Sequence, residues 1–270
     1  MKKKYGNNYN GDLELSHEKI TSLIGLPEII NGTLYLQYNQ ITDLNGLPDI
    51  INGNLYLYHN QIIKLEGLPK VVNGKIDLAE NKITSLYGLP ETINGELWLN
   101  HNQITDLNGI SNVVKGNLYL NGNKIISLNG LPETIKGCLY LDNNRITSLN
   151  GLPEIINGDL NLSNNQITDL NGLSESINGY LDLSNNRITN LNGLPEFVKR
   201  SLYLNNNNIA SLNGLPESIN GDLNLSFNQI TDLNGLPKIV KGCLNLSHNP
   251  VKFTEEQIRK VCDVKGEIYV

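Results

Sequence analysis

The stretches LYLQYNQI (34–41), LWLNHNQI (97–104) and LNLSNNQI (160–167) share one pattern and lie at multiples of 21 residues from one another. In each, leucines alternate with polar or aromatic residues before a turn Asn and an Ile. Strict alternation over so short a segment predicts a half-buried β-strand whose leucines point to one side. A strand that recurs at a fixed period of this length predicts a solenoid of stacked repeats.

The period continues through nearly the whole chain. Glycines 21 residues apart mark it: Gly25, Gly46, Gly67, Gly88, Gly109, Gly130, Gly151, Gly172, Gly193, Gly214 and Gly235. The consensus G-x-L-x-L-x-x-N-x-I-T-x-L-N-G-L-P-E-x-I-N occurs twelve times from Gly11 onward. One copy has about seven apolar side chains worth roughly 2 kcal/mol each when buried, which does not offset ordering its residues at about 1.5 kcal/mol each. The copies are therefore expected to stack and to join their strands into one parallel sheet.

The segment LxLxxNxI resembles the hallmark of leucine-rich repeat proteins, and the repeats cover about nine tenths of the chain. The element Leu-Pro-x-x-Ile, as in residues 152–156, resembles the short repeats of bacterial secreted effectors and of related bacteriophage proteins. The resemblance implies a leucine-rich repeat solenoid of the α/β horseshoe type. It would be right-handed, with about twelve repeats, mostly short parallel β-strands and turns, and little helix.

The domain organisation follows from where the repeat starts and stops. Residues 1–10 are expected to be an N-terminal tail, 11–249 the solenoid, and 250–270 a C-terminal cap. The first repeat has Glu18 where the turn Asn belongs, which a terminal rung facing solvent tolerates, so this repeat is expected to act as the N-terminal cap.

The C-terminal cap is expected to contain a short helix and a strand. Thr254 and Gln257 have the spacing of a capping box. They precede Ile258, Val261 and Cys262, which would share one helical face, and the last four residues can add a strand.

Several repeat positions predict backbone roles. The turn Asn, as at Asn102, would be buried in a ladder that satisfies backbone groups leaving the sheet. The glycine of the Asn-Gly pair before each strand is expected to take a positive φ, so Arg200 in its place predicts local strain. Ser111 and Ser174 replace the repeat proline, and the sequence assigns them no role.

Composition limits the classes of function. A net charge of −6 and a pI near 5.3 argue against nucleic acid, which is bound through clustered Lys and Arg. Three cysteines without metal-ligand spacing suggest neither a disulfide framework nor a zinc site. No signal peptide or membrane span is recognisable, which favours the cytoplasm, with delivery into a host cell as an alternative.

The sequence predicts no enzyme. It lacks a phosphate-binding loop and the HExxH and GxSxG motifs. All four histidines occupy one repeat position, and His59 and His101, two repeats apart, would lie about 10 Å from each other, too far to share a metal ion. We therefore expect no catalytic residue, no metal and no cofactor.

The residues available for recognition alternate with the strand leucines and form the concave face of the predicted sheet. They are the x of Gly-x-Leu, the x of Leu-x-Leu, and the two residues that follow. Aromatic side chains concentrate there in repeats two to seven and would span roughly 24 Å. The predicted partner-binding residues are Tyr35, Tyr38, Tyr56, Tyr58, His59, Asp77, Glu96, Trp98, His101, Tyr119 and Tyr140.

Large exposed aromatic side chains are typical of binding hot spots, and the acids among them favour a partner with basic residues. The sequence thus predicts a non-catalytic protein-binding module, expected as a monomer, of the kind found in bacterial effectors or phage factors that act on a host protein. The alternatives are a glycan-binding or cell-surface adhesion protein and a structural virion component. Tyr also has high β-propensity, so sheet stabilisation alone remains a competing interpretation.

Overall fold

The protein is described here by a computed structural model that covers residues 6–270; residues 1–5 of the expected tail lie outside it. The chain forms two compact units. Unit 1 comprises the residues up to 125 together with 129–137, and unit 2 comprises 126–128 and 138–270. Each unit consists of stacked repeats with short parallel strands.

The first strand of each repeat consensus joins a ladder that we call the main ladder. In unit 1 it contains β2 (Leu13–Glu14), β4 (Leu34–Tyr35), β6 (Leu55–Tyr56), β8 (Ile76–Asp77), β10 (Leu97–Trp98) and β12 (Leu118–Tyr119). In unit 2 it contains β14 (Leu139–Tyr140), β16 (Leu160–Asn161), β18 (Leu181–Asp182), β19 (Leu202–Tyr203), β21 (Leu223–Asn224), β23 (Leu244–Asn245) and β25 (Ile268–Tyr269).

A second set of short parallel strands precedes these and forms a side ladder in four pieces. Unit 1 holds β1 (Asn8–Asn10), β3 (Ile29–Asn31), β5 (Ile50–Ile51) and β7 (Val71–Val72), then β9 (Thr92–Ile93), β11 (Val113–Val114) and β13 (Thr134–Ile135). Unit 2 holds β15 (Ile155–Ile156) and β17 (Ser176–Ile177), then β20 (Ser218–Ile219), β22 (Ile239–Val240) and β24 (Asp263–Val264). Strand β1 falls within the residues that the sequence places in the N-terminal tail.

The α-helix in the described residues is α1 (Glu255–Arg259). The architecture is a parallel-strand solenoid of about twelve turns with almost no helix, which confirms the predicted fold class. No helix within residues 6–270 is long and apolar enough to cross a membrane.

The core is built from the apolar residues that the period predicts. Leu97, Leu99, Ile104 and Leu107 are each fully buried. Leu97 pairs in register with Leu118 of the next repeat, so identical positions of successive repeats pack on one another. Stacking therefore gives each repeat the burial that it cannot reach alone.

The turn Asn forms the predicted buried ladder. Asn102 Nδ2 donates to the carbonyl of Leu99 in its own repeat at 3.1 Å and to that of Leu78 in the preceding repeat at 3.0 Å. Its Oδ1 accepts from the backbone N–H of Ile83 at 3.0 Å. One amide thus satisfies three backbone groups that leave the sheet at the turn, two of them in the neighbouring repeat.

After the first repeat, the glycine before each main-ladder strand has a role different from the predicted one. Gly95 does not take a positive φ; that conformation occurs at Gly109 (φ 86°) and at His101 (φ 54°), which precedes the ladder Asn. A Cβ on Gly95 would lie 2.7 Å from the carbonyl carbon and oxygen of Gly74. This glycine is therefore required by close approach of two backbones rather than by its own dihedral angle. The sequence prediction is correct at Gly11, with a φ of 103°, and wrong at Gly95.

The same finding corrects the prediction of φ strain at Arg200. Arg200 does not take a positive φ. Around it the side ladder is reduced to an isolated bridge between Ile177 and Val198. Arg200 places a Cβ at the position where its glycine equivalents make a close backbone approach.

The remaining departures are local. The hydroxyl of Ser174 is buried and donates to the carbonyl of Pro153 at 2.7 Å, while Ser111 is buried and its hydroxyl oxygen makes no hydrogen bond. The capping box of α1 is present, with Thr254 Oγ1 accepting from the Gln257 N–H. Val261, expected on the buried face, is 51% exposed because α1 ends before it.

Replacing Asn102 by Ala should lower the free energy of unfolding by about 3 kcal/mol, because buried backbone groups of two repeats lose their partner. Urea denaturation followed by circular dichroism measures the change. Gln103→Ala, at the exposed neighbour, is the matched control and should stay within about 0.5 kcal/mol of wild type. Equal effects of the two substitutions would contradict the role assigned to the ladder.

Gly95→Ala should destabilise the protein by about 1 to 3 kcal/mol, as overpacking does. Gly11→Ala is an instructive comparison, because Gly11 has a φ of 103° and no atom lies within 4 Å of the place that an added methyl group would take; its cost should be limited to backbone strain of about 1 kcal/mol. Thermal unfolding of both variants tests this order, and a milder effect at Gly95 than at Gly11 would refute the close-approach explanation.

Candidate recognition surface on the sheet

The outward positions of the main ladder form what we call the sheet face. In unit 1 the middle position of LxL gives the aromatic column, which consists of Tyr35, Tyr56, Asp77, Trp98 and Tyr119. These residues are paired in register across successive strands. The repeat period therefore places the predicted residues side by side, one strand spacing apart.

The rings of the aromatic column form two groups. Tyr35 and Tyr56 are stacked, with ring centroids 5.2 Å apart and an interplanar angle of 7°. Trp98 and Tyr119 are 4.4 Å apart and tilted by 44°. Asp77 separates the two groups, since its short side chain leaves a gap between Tyr56 and Trp98.

A second column lies at the turn position immediately before the ladder Asn. In unit 1 Gly122 also occupies this position, and the side chains that form the turn column are His17, Tyr38, His59, Glu80 and His101. The Tyr38 ring is sandwiched between His17 at 4.5 Å and His59 at 4.6 Å, with interplanar angles of 13° and 16°. Tyr58 meets the edge of Tyr38 at 5.2 Å, which links the turn column to the sheet.

Every member of the turn column has a left-handed backbone, with φ between 52° and 59°. Asn adopts this conformation readily, and the equivalent positions of unit 2 include Asn143, Asn164, Asn185 and Asn206. Tyr and Glu adopt it at a cost of roughly 1 kcal/mol. The side chain of Tyr38 is 43% exposed. The backbone strain at Tyr38 therefore places an aromatic ring at the surface rather than in the core.

Repeat four differs from its neighbours because it carries a lysine beside the aromatic column. Lys75 Nζ lies 3.5 Å from the centroid of Trp98 and 5.3 Å from that of Tyr56. It also pairs with Asp77 Oδ2 at 3.2 Å. The lysine thus fills the gap that Asp77 leaves in the column.

Asp77 is not the exposed acid that the sequence predicts. It is only 5% exposed, its Oδ1 accepts from the Ala79 N–H at 3.2 Å, and its charge faces Lys75. Burial raises the pKa of the Asp77 carboxyl, while the Ala79 N–H and Lys75 oppose that shift. In the free protein this acid therefore interacts with its own chain rather than with solvent.

Glu96 is also engaged. It accepts from Trp98 Nε1 at 3.0 Å and from Asn117 Nδ2 at 2.8 Å. Asn117 Nδ2 lies 3.1 Å from the Tyr119 hydroxyl. These hydrogen bonds fix the edge of the indole ring. Lys75 and Tyr119 also contact the ring, so the Trp98 side chain is packed against its neighbours and does not project freely into solvent.

A cleft of about 380 Å³ lies over repeat four, where Asp77 and Ala79 are small. The rings of Tyr56, Tyr58 and Trp98 line it together with Lys75, and further lining residues are Tyr38, His59, Glu80 and Asn100. His59 Nε2 and Glu80 Oε2 are 3.1 Å apart at the turn end. Most of the predicted site of unit 1 therefore converges on one cleft.

Burial is the first cause of a raised pKa at both Tyr56 and Tyr58, with neighbouring tyrosines and Asp77 adding to it. Tyrosine hydroxyls are protonated at neutral pH in any case, and the raised pKa keeps both as hydrogen-bond donors further into the alkaline range.

Five predicted residues do not line this cleft. Tyr35, Tyr119 and Glu96 contact its aromatic walls, whereas His101 and Tyr140 have other neighbours. His101 is exposed, and its ring packs over Gly122, where a Cβ would lie 2.5 Å from Nδ1. Tyr140 belongs to unit 2, in β14 beside Asn161, and its side chain is hydrogen-bonded to that of Tyr180.

Lys75 and the Phe227–His248 pair were missed by the sequence analysis. Phe227 is 49% exposed, has a φ of 54° and stacks on His248 at 4.1 Å. Lys75, Phe227 and His248 lie at repeat positions that the sequence predicts to face outward. Each differs from the residues common at its position, and that difference is a signal visible in the sequence.

The fold and its repeat define the class of the chain as a leucine-rich repeat solenoid, and the sequence resemblance to bacterial effector proteins of this class is confirmed at the level of fold. YopM from Yersinia enterocolitica WA-314 superimposes with a TM-score of 0.66 and 23% identity over 96% of this chain. A leucine-rich repeat protein from Bacteroides eggerthii DSM 20697 does so with a TM-score of 0.51 and 16% identity over 88%.

The chain spans 64% of the YopM chain and 43% of the Bacteroides chain. No protein-family model and no curated protein matches the sequence. At these sequence identities the similarity establishes the fold alone, and the candidate recognition surface rests on the residues of this chain.

Glu80→Asn should raise the free energy of unfolding by about 0.5 to 1 kcal/mol, because Asn relieves the left-handed strain and the exposed contact between Glu80 and His59 contributes little. Urea denaturation measures the gain. The matched control is Glu66→Asn, the same change at an exposed position without a positive φ, where stability should be nearly unchanged. A gain of equal size at both positions would remove the argument for strain.

Proposed function

We propose that this chain is a non-catalytic module that recognises a protein with a basic surface through the sheet face of unit 1. The observation that carries the proposal is the turn column. Tyr38 and Glu80 occupy left-handed positions where Asn is less strained, and their side chains are exposed. Backbone strain that persists at a surface is typical of sites selected for binding rather than for stability.

Sheet stabilisation alone does not account for these residues. High β-propensity explains tyrosines within strands, but Tyr38 and His59 lie in the turn, outside the strands. Their rings, with Tyr58, make a contiguous apolar and hydrogen-bonding surface next to an open cleft. This is the composition expected of a protein-binding hot spot.

The charge of the sheet face supports a basic partner. In unit 1 its four columns contain five acids and one lysine; the acids are Asp12, Glu14, Asp77, Glu80 and Glu96. Lys75 and Asp77 neutralise each other, so the remaining acids Asp12, Glu14, Glu80 and Glu96 give this face a negative charge. Such a surface attracts positively charged partners and repels negatively charged ones.

We further propose that the protein is an effector or phage factor that acts in the cytoplasm of a host cell. Its support is the resemblance of the repeats to those of bacterial effectors, which concerns the fold and not the site. A glycan-binding or adhesion role and a role as a virion component are the alternatives that the following experiment distinguishes.

The triple variant Tyr38→Asn, Tyr58→Asn, Glu80→Asn tests the proposal. Proteins captured from host-cell lysate by the wild type are purified, and their affinities are measured by calorimetry. The variant should bind its partner at least about thirtyfold more weakly, since hot-spot side chains contribute more than about 1 kcal/mol each. Its stability should not fall by a matching amount.

Phe227→Asn is the matched control, because Phe227 is an exposed aromatic at the same repeat position but in unit 2. It should leave the affinity unchanged. Equal binding by wild type and triple variant, or capture of glycans alone, would defeat the proposal.

Affinity for the partner should also fall by about tenfold or more between 50 mM and 500 mM NaCl, because salt screens attraction between an acidic face and a basic partner. Affinity that is independent of salt would show that charge complementarity does not contribute.

A further inference from the structure

Lys75 is exceptional on the sheet face, because the four outward columns contain no other lysine or arginine. The equivalent positions in unit 1 carry polar or acidic residues, namely Asp12, Thr33, Asn54, Glu96 and Asn117. A single cation in an otherwise acidic surface therefore calls for an explanation in terms of what it contacts.

The contacts of Lys75 are those of a bound cation. Its ammonium lies over the indole of Trp98 at 3.5 Å and near the Tyr56 ring at 5.3 Å, which is the geometry of a cation–π interaction. Asp77 supplies the counter-charge at 3.2 Å. The lysine side chain is 20% exposed, so it covers the site from above without being locked inside the core.

The three groups around Lys75 are held in place by other contacts. Glu96 fixes the indole edge at Nε1, Tyr35 stacks on Tyr56, and the Ala79 N–H holds Asp77. Because none of these contacts involves the lysine, the aromatic walls and the carboxylate would keep their arrangement when the lysine moves away.

We propose that Tyr56, Trp98 and Asp77 form a binding site for one arginine side chain of the partner, and that Lys75 closes this site in the free protein. The inference rests on the proposed recognition of a basic protein and specifies its central contact. The adjoining cleft over Ala79 and Tyr58 accommodates the aliphatic part of the incoming side chain.

Arginine suits this site better than lysine. A guanidinium is planar and less strongly hydrated than an ammonium, so it stacks flat on Trp98 while its edge donates to Asp77. The displaced Lys75 gains full hydration in exchange. When no partner is present, Lys75 keeps the buried Asp77 carboxylate paired, which avoids an uncompensated charge. Lys75 also competes with free cations, so a cation that binds weakly does not occupy the site.

The test uses Trp98 as a reporter, because it is the one tryptophan of the chain and its emission reports on the site alone. Lys75→Ala is titrated with ethylguanidinium chloride against a NaCl series of equal ionic strength. The variant should show a saturable change in emission with a Kd on the order of 10 mM, and the wild type should bind at least about tenfold more weakly because its own lysine competes.

Lys75→Met is the matched control. Its side chain has a similar length and lacks the charge, so it should still cover Trp98 and suppress the response. A second control, Lys75→Ala combined with Asp77→Asn, should lose it because the counter-charge is gone. The proposal fails if Lys75→Ala responds no better than wild type, or if the Met variant responds equally.

A measurement on the native protein covers the case in which Lys75→Ala does not fold. The ε-methylene protons of Lys75 should resonate upfield in NMR spectra, because the Trp98 ring shields them. Addition of the peptide amide Arg-Arg-Arg should return them to the ordinary lysine position, and Lys-Lys-Lys should do so less. Resonances that stay in place with both peptides would overturn the proposal.

Failure here is distinguishable from failure of the proposed function. The capture experiment uses changes at Tyr38, Tyr58 and Glu80, and none of these residues belongs to the trio around Lys75. If the triple variant loses affinity for the partner while ethylguanidinium causes no change in Trp98 emission, the recognition surface is supported and only the arginine site is wrong.

Discussion

The structure depends on one hydrogen-bonded amide per repeat. At the turn where the chain leaves the main ladder, the Asn side chain satisfies a carbonyl of its own repeat and two backbone groups of the repeat before it, as Asn102 does for Leu99, Leu78 and Ile83. Because donor and acceptors belong to different repeats, the amide works only when the repeats are stacked in register. The period of the sequence, the parallel pairing and the burial of the leucines all follow from preserving that geometry.

The same turn determines where function can reside. To aim its amide inward, the Asn has to follow a residue with a left-handed backbone, and that residue points its side chain outward beside the sheet. Each repeat thus presents four side chains that do not contribute to the core. In unit 1 these positions carry stacked rings, strained residues and the Lys75–Asp77 pair; at the turn position, much of unit 2 carries Asn. The two units therefore differ at outward positions that the fold itself does not determine.

Period and alternation were sufficient to predict the fold, the buried leucines, the Asn ladder and the outward placement of Tyr35, Tyr56, Trp98 and Tyr119. They were insufficient where an outcome depends on contact between repeats. The close approach at Gly95 arises from the backbone of the neighbouring repeat, so one repeat alone suggested a φ requirement that does not exist. Likewise, Asp77 reads as an exposed acid until Lys75 is placed against it, and pairings between columns are not visible in a pattern that treats each column separately.

The left-handed turn position has an evolutionary consequence. It lies outside the core, its conformation is set by the backbone of the Asn ladder, and within this chain it holds Asn, Gly, His, Tyr, Glu and Phe without any change of φ class. The left-handed conformation costs a residue other than Gly or Asn about 1 to 2 kcal/mol. The exposed side chain at this position can therefore change in one repeat at a time without disturbing the core. The solenoid in this way separates the residues that must remain from those that are free to diversify.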